Sequence, residues 1–281
     1  MSEAAGELFY RVHWRGGSAH PGSHASRWHG GDGAFRQLLP FWQRPDAARI
    51  DLRRSLADPH GQVMVRLIEQ RGAIDVIVLA DLSRSMQAGG GWLAAIAGLL
   101  EGVAAAARRI GDRVGFLGFD AALREDYVLP ATRQPRRAAR LAESLRALDP
   151  DGRAAGGLAA AVGRLPQRRA LVLLVSDFLM PLDDLEAALA ALARHDVQPV
   201  VLHQAPGPEA LPRYGLLRLR DAESGATRLL LLRPALRARW LRERAERRAA
   251  LDRLFRRHAR PAFHAEGSLD LERLALHLAE G

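Results

Sequence analysis

The 281-residue chain contains no cysteine and no lysine. The missing cysteine removes disulfides, thiolate nucleophiles and zinc-thiolate sites together. The missing lysine excludes a P-loop lysine, a Schiff-base lysine and a kinase-type lysine. All 41 basic residues are arginine, a bias of the kind a GC-rich genome produces, and no function is read from it. Long apolar runs are absent too, since no stretch approaches the roughly 20 residues of a membrane span. The opening residues Met1 to Glu7 are acidic and lack an apolar segment, so no signal peptide is recognised. The expectation is a cytoplasmic protein.

What is present fits a soluble globular chain, with 48% hydrophobic and 26% charged residues. The length allows a full core, best arranged as one large domain with an appendage. A formal charge of +9 and a pI near 11.2 suit an acidic partner, a membrane surface or nucleic acid. The basic excess is spread along the chain except for a dense stretch at 233–260, which makes nucleic acid the lesser reading.

The stretch most suggestive of chemistry is Asp81-Leu82-Ser83-Arg84-Ser85-Met86, between the apolar run Ile74–Ala80 and Gly89-Gly90-Gly91. A short, near-continuous aliphatic run reads as a buried parallel strand, and the carboxyl ends of such strands are where open α/β sheets hold ligands. In an extended turn Asp81, Ser83 and Ser85 alternate, so their side chains can converge. An all-oxygen set of this kind suits a hard divalent cation such as Mg2+. The same residues also suit the capping of a helix that starts near Gly91, and on this stretch alone both readings stand.

Residues 1–70 differ in texture from the rest, with Trp14, Trp28 and Trp42 beside His13, His20, His24 and His29. Clustered histidines raise a metal reading, but their irregular spacing among glycines favours a surface loop with packing aromatics. Asp46–Arg54 mixes both charges closely enough for local ion pairs, and Gln62–Ile68 alternates as a strand does. From residue 71 onward, strand and helix patterns alternate. Strands are expected at 74–80, 113–119, 170–175 and 197–203, with an exposed edge strand at 123–129. Helices are expected at about 91–109, 135–147, 157–164 and 182–194. Such alternation predicts an α/β fold, a doubly wound and mostly parallel sheet with helices on both faces. The second delivering strand ends in Ser176-Asp177, repeating the pattern of an acid at a strand end. A hairpin insertion is expected within about 205–232, then a long arginine-rich helix at 234–258, a short strand near 263 and a helix at about 269–279. The domain reading is an N-terminal extension over 1–70 and one α/β domain over 71–281.

Asp81-x-Ser83-x-Ser85 together with Ser176-Asp177 resembles the metal-ion-dependent adhesion site of von Willebrand factor A domains. Gly22–Ser26, Gly31–Phe35, Asp46–Arg53, Leu211-Pro212 and Leu219–Gly225 are similar to the bacterial family called domain of unknown function 58. The resemblance covers nearly the whole chain. It implies Mg2+, with Mn2+ or Ca2+ as alternatives, held by Asp81, Ser83, Ser85 and Asp177, and an open coordination position that accepts an acidic side chain of a partner. It also implies a threonine from a middle loop, where this chain has Ala154-Ala155-Gly156-Gly157-Leu158, so that Gly156 stands at the threonine position without a side-chain oxygen. The implied metal binding is correspondingly weak, with Asp151 or a water filling the gap. Arg84, Asp120 and Ser176 complete the expected rim and surroundings.

Short members of this kind include MxaS-like proteins of methanol-oxidation gene clusters, generally encoded beside MoxR-type AAA+ ATPases. The resemblance therefore implies a non-enzymatic adaptor that works with such an ATPase on an unidentified client, in assembly or metal-cofactor maturation. The alternatives are a Mg2+-dependent hydrolase or phosphatase and a basic nucleic-acid-binding protein. Aspartyl phosphatases need a second acid two residues after the first, where this chain has Ser83, and a lysine that it lacks. No catalytic residue is expected.

Overall fold

The computed structural model describes residues 8–14, 21–87, 91–150, 156–203, 212–220 and 227–280. The chain forms two compact units, Val12–Ile74 with Ile110–Asp112, and Met1–Arg11 with Asp75–Arg109 and Arg113–Gly281.

In the smaller unit, β1 (Pro21–Pro40) precedes the short helix α1 (Leu52–Leu56) and pairs antiparallel with β2 (Met64–Gly72). Asp51 organises the approach to α1: one carboxylate oxygen accepts from Arg54 N at 3.0 Å and the other from Arg66 Nε at 2.7 Å. A second local ion pair joins Asp46 to Arg49 at 3.1 Å. The stretch expected as a tryptophan- and histidine-rich loop is, over Pro21–Pro40, a strand. Its register against β2 shifts repeatedly, which breaks the side-chain alternation by which a strand is read. His24 is bonded to the buried Asp112, Nε2 to Oδ2 at 2.7 Å, while Asp112 Oδ1 accepts from Ile74 N at 2.9 Å. His20 lies outside the described residues, as do the side chains of Trp28 and His29.

The larger unit follows the expected alternation. In order come β3 (Asp75–Asp81), α2 (Trp92–Ile110), β4 (Arg113–Phe119), β5 (Leu123–Thr132), α3 (Pro135–Arg146), α4 (Leu158–Gly163) and β6 (Leu171–Ser176). Then follow α5 (Leu182–Ala191), β7 (Asp196–His203), the hairpin strands β8 (Gly215–Arg220) and β9 (Thr227–Leu232), α6 (Pro234–His258), β10 (Phe263–Glu266) and α7 (Leu271–Glu280). The central sheet has the order β10-β7-β6-β3-β4-β5 and is parallel except for the edge strand β5.

Every residue of β3 and β6 is buried, the condition that selects near-continuous aliphatic strands. Ile77, Leu79, Val172 and Leu174 pack with Leu158, Leu185, Leu254 and Phe255 of the helices α4, α5 and α6. The pleat turns Val76, Val78 and Ala80 to the opposite face, where they are equally buried. Helices α2 and α7 meet closely at Gly102, where an added Cβ would lie 3.3 Å from Leu271 Cδ1. Burying an aliphatic or phenyl side chain contributes about 1.5–3 kcal/mol, so these two layers supply most of the drive to fold. Among the described residues, no helix is long and apolar enough to cross a membrane.

One buried histidine gives the fold a predictable acid limb. His195 Nδ1 accepts from Ala170 N at 3.3 Å. Burial, aided by Arg194 and Arg169, pushes its pKa from 6.5 down to about 4. The unfolded chain therefore binds this proton first, and stability is lost as the pH falls from about 6.5 to about 4. His203 is shifted the same way, by burial first and then by His264. The fall in melting temperature across this window is expected to be smaller for His195→Gln than for the wild type, measured by circular dichroism at stepped pH. Equal declines would remove His195 from the account.

Candidate functional site

Strand order reverses beside β3. The chain runs outward through β4 and β5 on one side, then returns to β6 on the other side and continues to β7 and β10. The carboxyl ends of β3 and β6 thus bound the crevice in which open α/β sheets hold ligands. Asp81 is the last residue of β3, Ser176 is the last of β6, and Asp177 follows it. The fold therefore brings together residues almost a hundred positions apart in sequence.

The two strand ends are stapled side chain to side chain. Ser176 Oγ donates to Asp81 Oδ2 at 2.8 Å, and Ser83 N donates to Asp81 Oδ1 at 2.9 Å. Leu82 N donates to Phe119 O at 2.7 Å, which carries the chain across the end of β4 before it turns. The turn is a 3-10 segment, Arg84–Met86, and Ser83 makes no side-chain cap to it. The alternation expected of an extended turn is therefore replaced by a tight one, yet Ser83 Oγ and Ser85 Oγ still meet at 3.1 Å. Both serines and both acids, Asp81 and Asp177, are buried. Arg84, between the serines, is half-buried.

Burial, with Asp177 as the second cause, raises the Asp81 pKa from 3.8 to about 6. Hydrogen bonds from Ser83 and Ser176 pull in the opposite direction and do not cancel it. Two carboxylates close together in a buried crevice are thus kept there against their own repulsion.

The Asp177 loop is held by features that no local sequence pattern announces. Phe178 has φ of 52°, a left-handed backbone that costs a non-glycine residue about 1–2 kcal/mol. Its ring is fully buried and meets Phe255 of α6 edge to face, with centroids 5.1 Å apart. Phe178 N donates to Ser176 Oγ at 2.9 Å, and Leu179 N donates to Asp177 Oδ1 at 3.1 Å. From α6, Arg247 Nη2 donates to Phe178 O at 2.5 Å and also to Met180 O. Burial lowers the Arg247 pKa, and Asp177 opposes that shift. Arg247 is thus a guanidinium clamp on the site loop; the only sequence sign was the arginine density of 233–260.

The remaining expected residues lie along the adjoining loops. Asp120 is buried after β4; Oδ1 accepts from Ala122 N at 3.1 Å and Oδ2 pairs with Arg124 at 2.7 Å. Its carbonyl accepts from Gly157 N at 2.8 Å, which ties the middle loop to the end of β4. Gly157 cannot carry a side chain, because an added Cβ would sit 2.3 Å from Ala122 C. Gly156 differs: it is exposed, and among the described residues an added Cβ would meet only Ala121 O at 3.7 Å. Asp151 lies outside the described residues. Among the described residues, no group of three or more His, Asp or Glu side chains gathers to hold a metal. Any metal at the crevice would depend on the serine hydroxyls beside the two acids.

The buried charge of Asp81 generates a stability prediction. An amide at this position keeps both contacts, since its oxygen can accept from Ser83 N and its nitrogen can donate to Ser176 Oγ once that hydroxyl rotates. Asp81→Asn is expected to stabilise the metal-free protein at pH 7 by about 1–2 kcal/mol, the upper range of a two-unit shift being about 3 kcal/mol. The folded wild type takes up its proton near pH 6, so the gain shrinks as the pH falls from about 6 toward 3.8. Urea denaturation at pH 7 and pH 4.5 measures it; a destabilised variant at pH 7 would contradict the charge-burial account.

Residues 45–250 match the family described as Protein of unknown function DUF58. An uncharacterized protein in the moxR 3' region of Paracoccus denitrificans is 42% identical over 94 residues, 34% of this chain and 90% of that protein. An uncharacterized protein of Mycobacterium bovis is 36% identical over 104 residues, 36% of this chain, and the match spans only 32% of the mycobacterial protein. Among solved structures, an aerotolerance-related membrane protein from Bacteroides fragilis aligns with a TM-score of 0.46 and 15% identity, over 73% of this chain and 96% of that one. A von Willebrand factor type A protein from Catenulispora acidiphila aligns with a TM-score of 0.37 and 18% identity, over 76% of this chain and 43% of that one. The match at 45–250 runs from ahead of α1 into α6 and takes in the whole crevice, and the chain belongs to the family Protein of unknown function DUF58.

Proposed function

We propose that this protein is a non-enzymatic interaction module that works with a MoxR-type AAA+ ATPase on a client protein, docking partners through the crevice between β3 and β6. The observation that carries the reading is the convergence of Asp81, Ser83, Ser85 and Asp177 at the strand-order reversal, an acidic and hydroxylic rim with the hydroxyls 3.1 Å apart. The name of the Paracoccus relative, which places that protein in a moxR 3' region, supports the choice of partner. The hydroxyl of Ser83 is engaged by that of Ser85 at 3.1 Å.

The rim suits a hard divalent cation, because its donors are all oxygen and its two acids need a counter-charge. Ser83 and Ser85 would hold Mg2+ through their hydroxyls, with Asp81 and Asp177 acting directly or through water. Such an ion would supply a Lewis acid able to bind a partner carboxylate. Asp81 already accepts one hydrogen bond on each oxygen, which orients it for the outer role. Gly156 leaves out one oxygen donor, so the chain's own hold on the ion is weak.

That weakness is testable in both directions. Among the described residues Gly156 has room for a side chain, and it does not adopt a left-handed backbone, so Gly156→Thr should fold normally. It is expected to tighten Mg2+ binding roughly tenfold, about 1.4 kcal/mol, in calorimetric titration. Ser83→Ala and Asp177→Ala are expected to weaken it. Pull-down of the MoxR-type ATPase from the same genome should be stronger in Mg2+ than in EDTA, and weaker for Asp177→Ala. Unchanged capture by Asp81→Ala and Asp177→Ala, with both variants folded, would sink the crevice as the docking site.

A further inference from the structure

The hairpin β8–β9 carries more apolar surface than its own packing uses. Its register pairs Leu216 with Leu231 and Arg218 with Leu229, while Leu217 pairs with Leu230. The pleat therefore splits the ribbon into two faces. On the inner face Leu232 is fully buried and Leu217 and Leu230 are half-buried. On the outer face Leu216, Leu229 and Leu231 are 68%, 65% and 52% exposed, and Tyr214 just ahead of β8 is 70% exposed. An antiparallel ribbon seated on one side normally alternates apolar inward with polar outward. Here Leu229-Leu230-Leu231-Leu232 is instead the continuous run of a strand covered on both sides, and among the described residues only one side is covered.

The charges around this face select its occupant. Pro212–Arg220 and Thr227–Arg233 contain Arg213, Arg218, Arg220 and Arg233, besides Arg228 on the inner side of the register, and no acidic residue. A second copy seated on the same face would set arginine-rich surfaces against each other, and like charges across an interface oppose association. A protein segment with apolar residues flanked by carboxylates satisfies both the leucines and the arginines. The geometry points to the outer face of β8–β9 as a docking surface for an acidic, amphipathic protein segment, one borne by the AAA+ ATPase; this rests on the functional reading above.

The test uses the full chain and the MoxR-type ATPase of the same genome as the probe, with binding followed by biolayer interferometry at two salt concentrations. The variants are Leu216→Ser with Leu231→Ser, and separately Arg218→Glu, all at exposed positions, with thermal melts to confirm folding. Both are expected to weaken ATPase binding roughly tenfold or more, with Arg218→Glu also slowing association and flattening its salt dependence. If the wild type binds and the hairpin variants bind equally well, the hairpin is not the docking surface and the functional reading survives. If the wild type shows no ATPase binding in Mg2+ or EDTA, both fall together. Two controls replace the occupant: leucine-dependent flotation with phosphatidylglycerol vesicles would make it a membrane surface. A wild-type dimer in sedimentation that the leucine variant abolishes would make it a second copy of the chain.

Discussion

The site depends on one buried hydrogen bond, from Ser176 Oγ to Asp81 Oδ2. It joins the ends of two strands that are neighbours only because the sheet reverses its order between them. A carboxylate at the end of a fully buried strand is a costly thing to fold around, and its raised pKa records that cost. What makes Asp81 tolerable is a donor to each oxygen, one from the backbone of its own turn and one from the far strand. Proteins that keep such a charge in place of a neutral isostere give up stability for a local arrangement of acids, and arrangements of that kind concentrate at functional sites.

The loop after β6 follows the same logic. Behind Ser176 the chain turns sharply, and Phe178 makes that turn in a backbone region its side chain disfavours. The strain is held by burial of the phenyl ring against Phe255 and by the Arg247 clamp on the carbonyls of Phe178 and Met180. Both holding residues belong to α6, so the acid at the crevice is positioned by a helix from the far end of the chain. This gives α6 a structural role that its exposed arginines conceal.

The sheet and its delivering strands were legible because their signal is local and strong. Ile74–Ala80 and Ala170–Val175 are continuous aliphatic runs, and the acids behind them fall where strand ends must be. The hairpin and the boundaries of α6 were legible for the same reason, through glycine-containing loop residues and a proline in the first helical turn. The strand β1 was not, since it pairs through backbone with several register shifts and offers glycines and histidines where a strand offers alternation. The serines of the site were legible as a set, although a 3-10 turn and not an extended chain brings them together. Arg247, the Phe178 conformation and the Ser176 staple are contacts between distant segments, and no window of sequence contains both partners.

Two features that look unrelated bear on one another. A crevice that offers two hydroxyls and two acids would engage a partner through very few bonds. Association of two proteins must first overcome several kcal/mol of lost translational and rotational freedom, roughly 4–15 kcal/mol. A few polar contacts do not reach that on their own, and weak ones contribute more to orientation than to affinity. The apolar face of β8–β9 is the complementary kind of surface, with area to desolvate and little directional chemistry. In sequence, β9 leads through Arg233 into α6, the helix whose Arg247 clamps the Asp177 loop. Affinity drawn from the ribbon and orientation drawn from the crevice would together make a reversible, oriented grip.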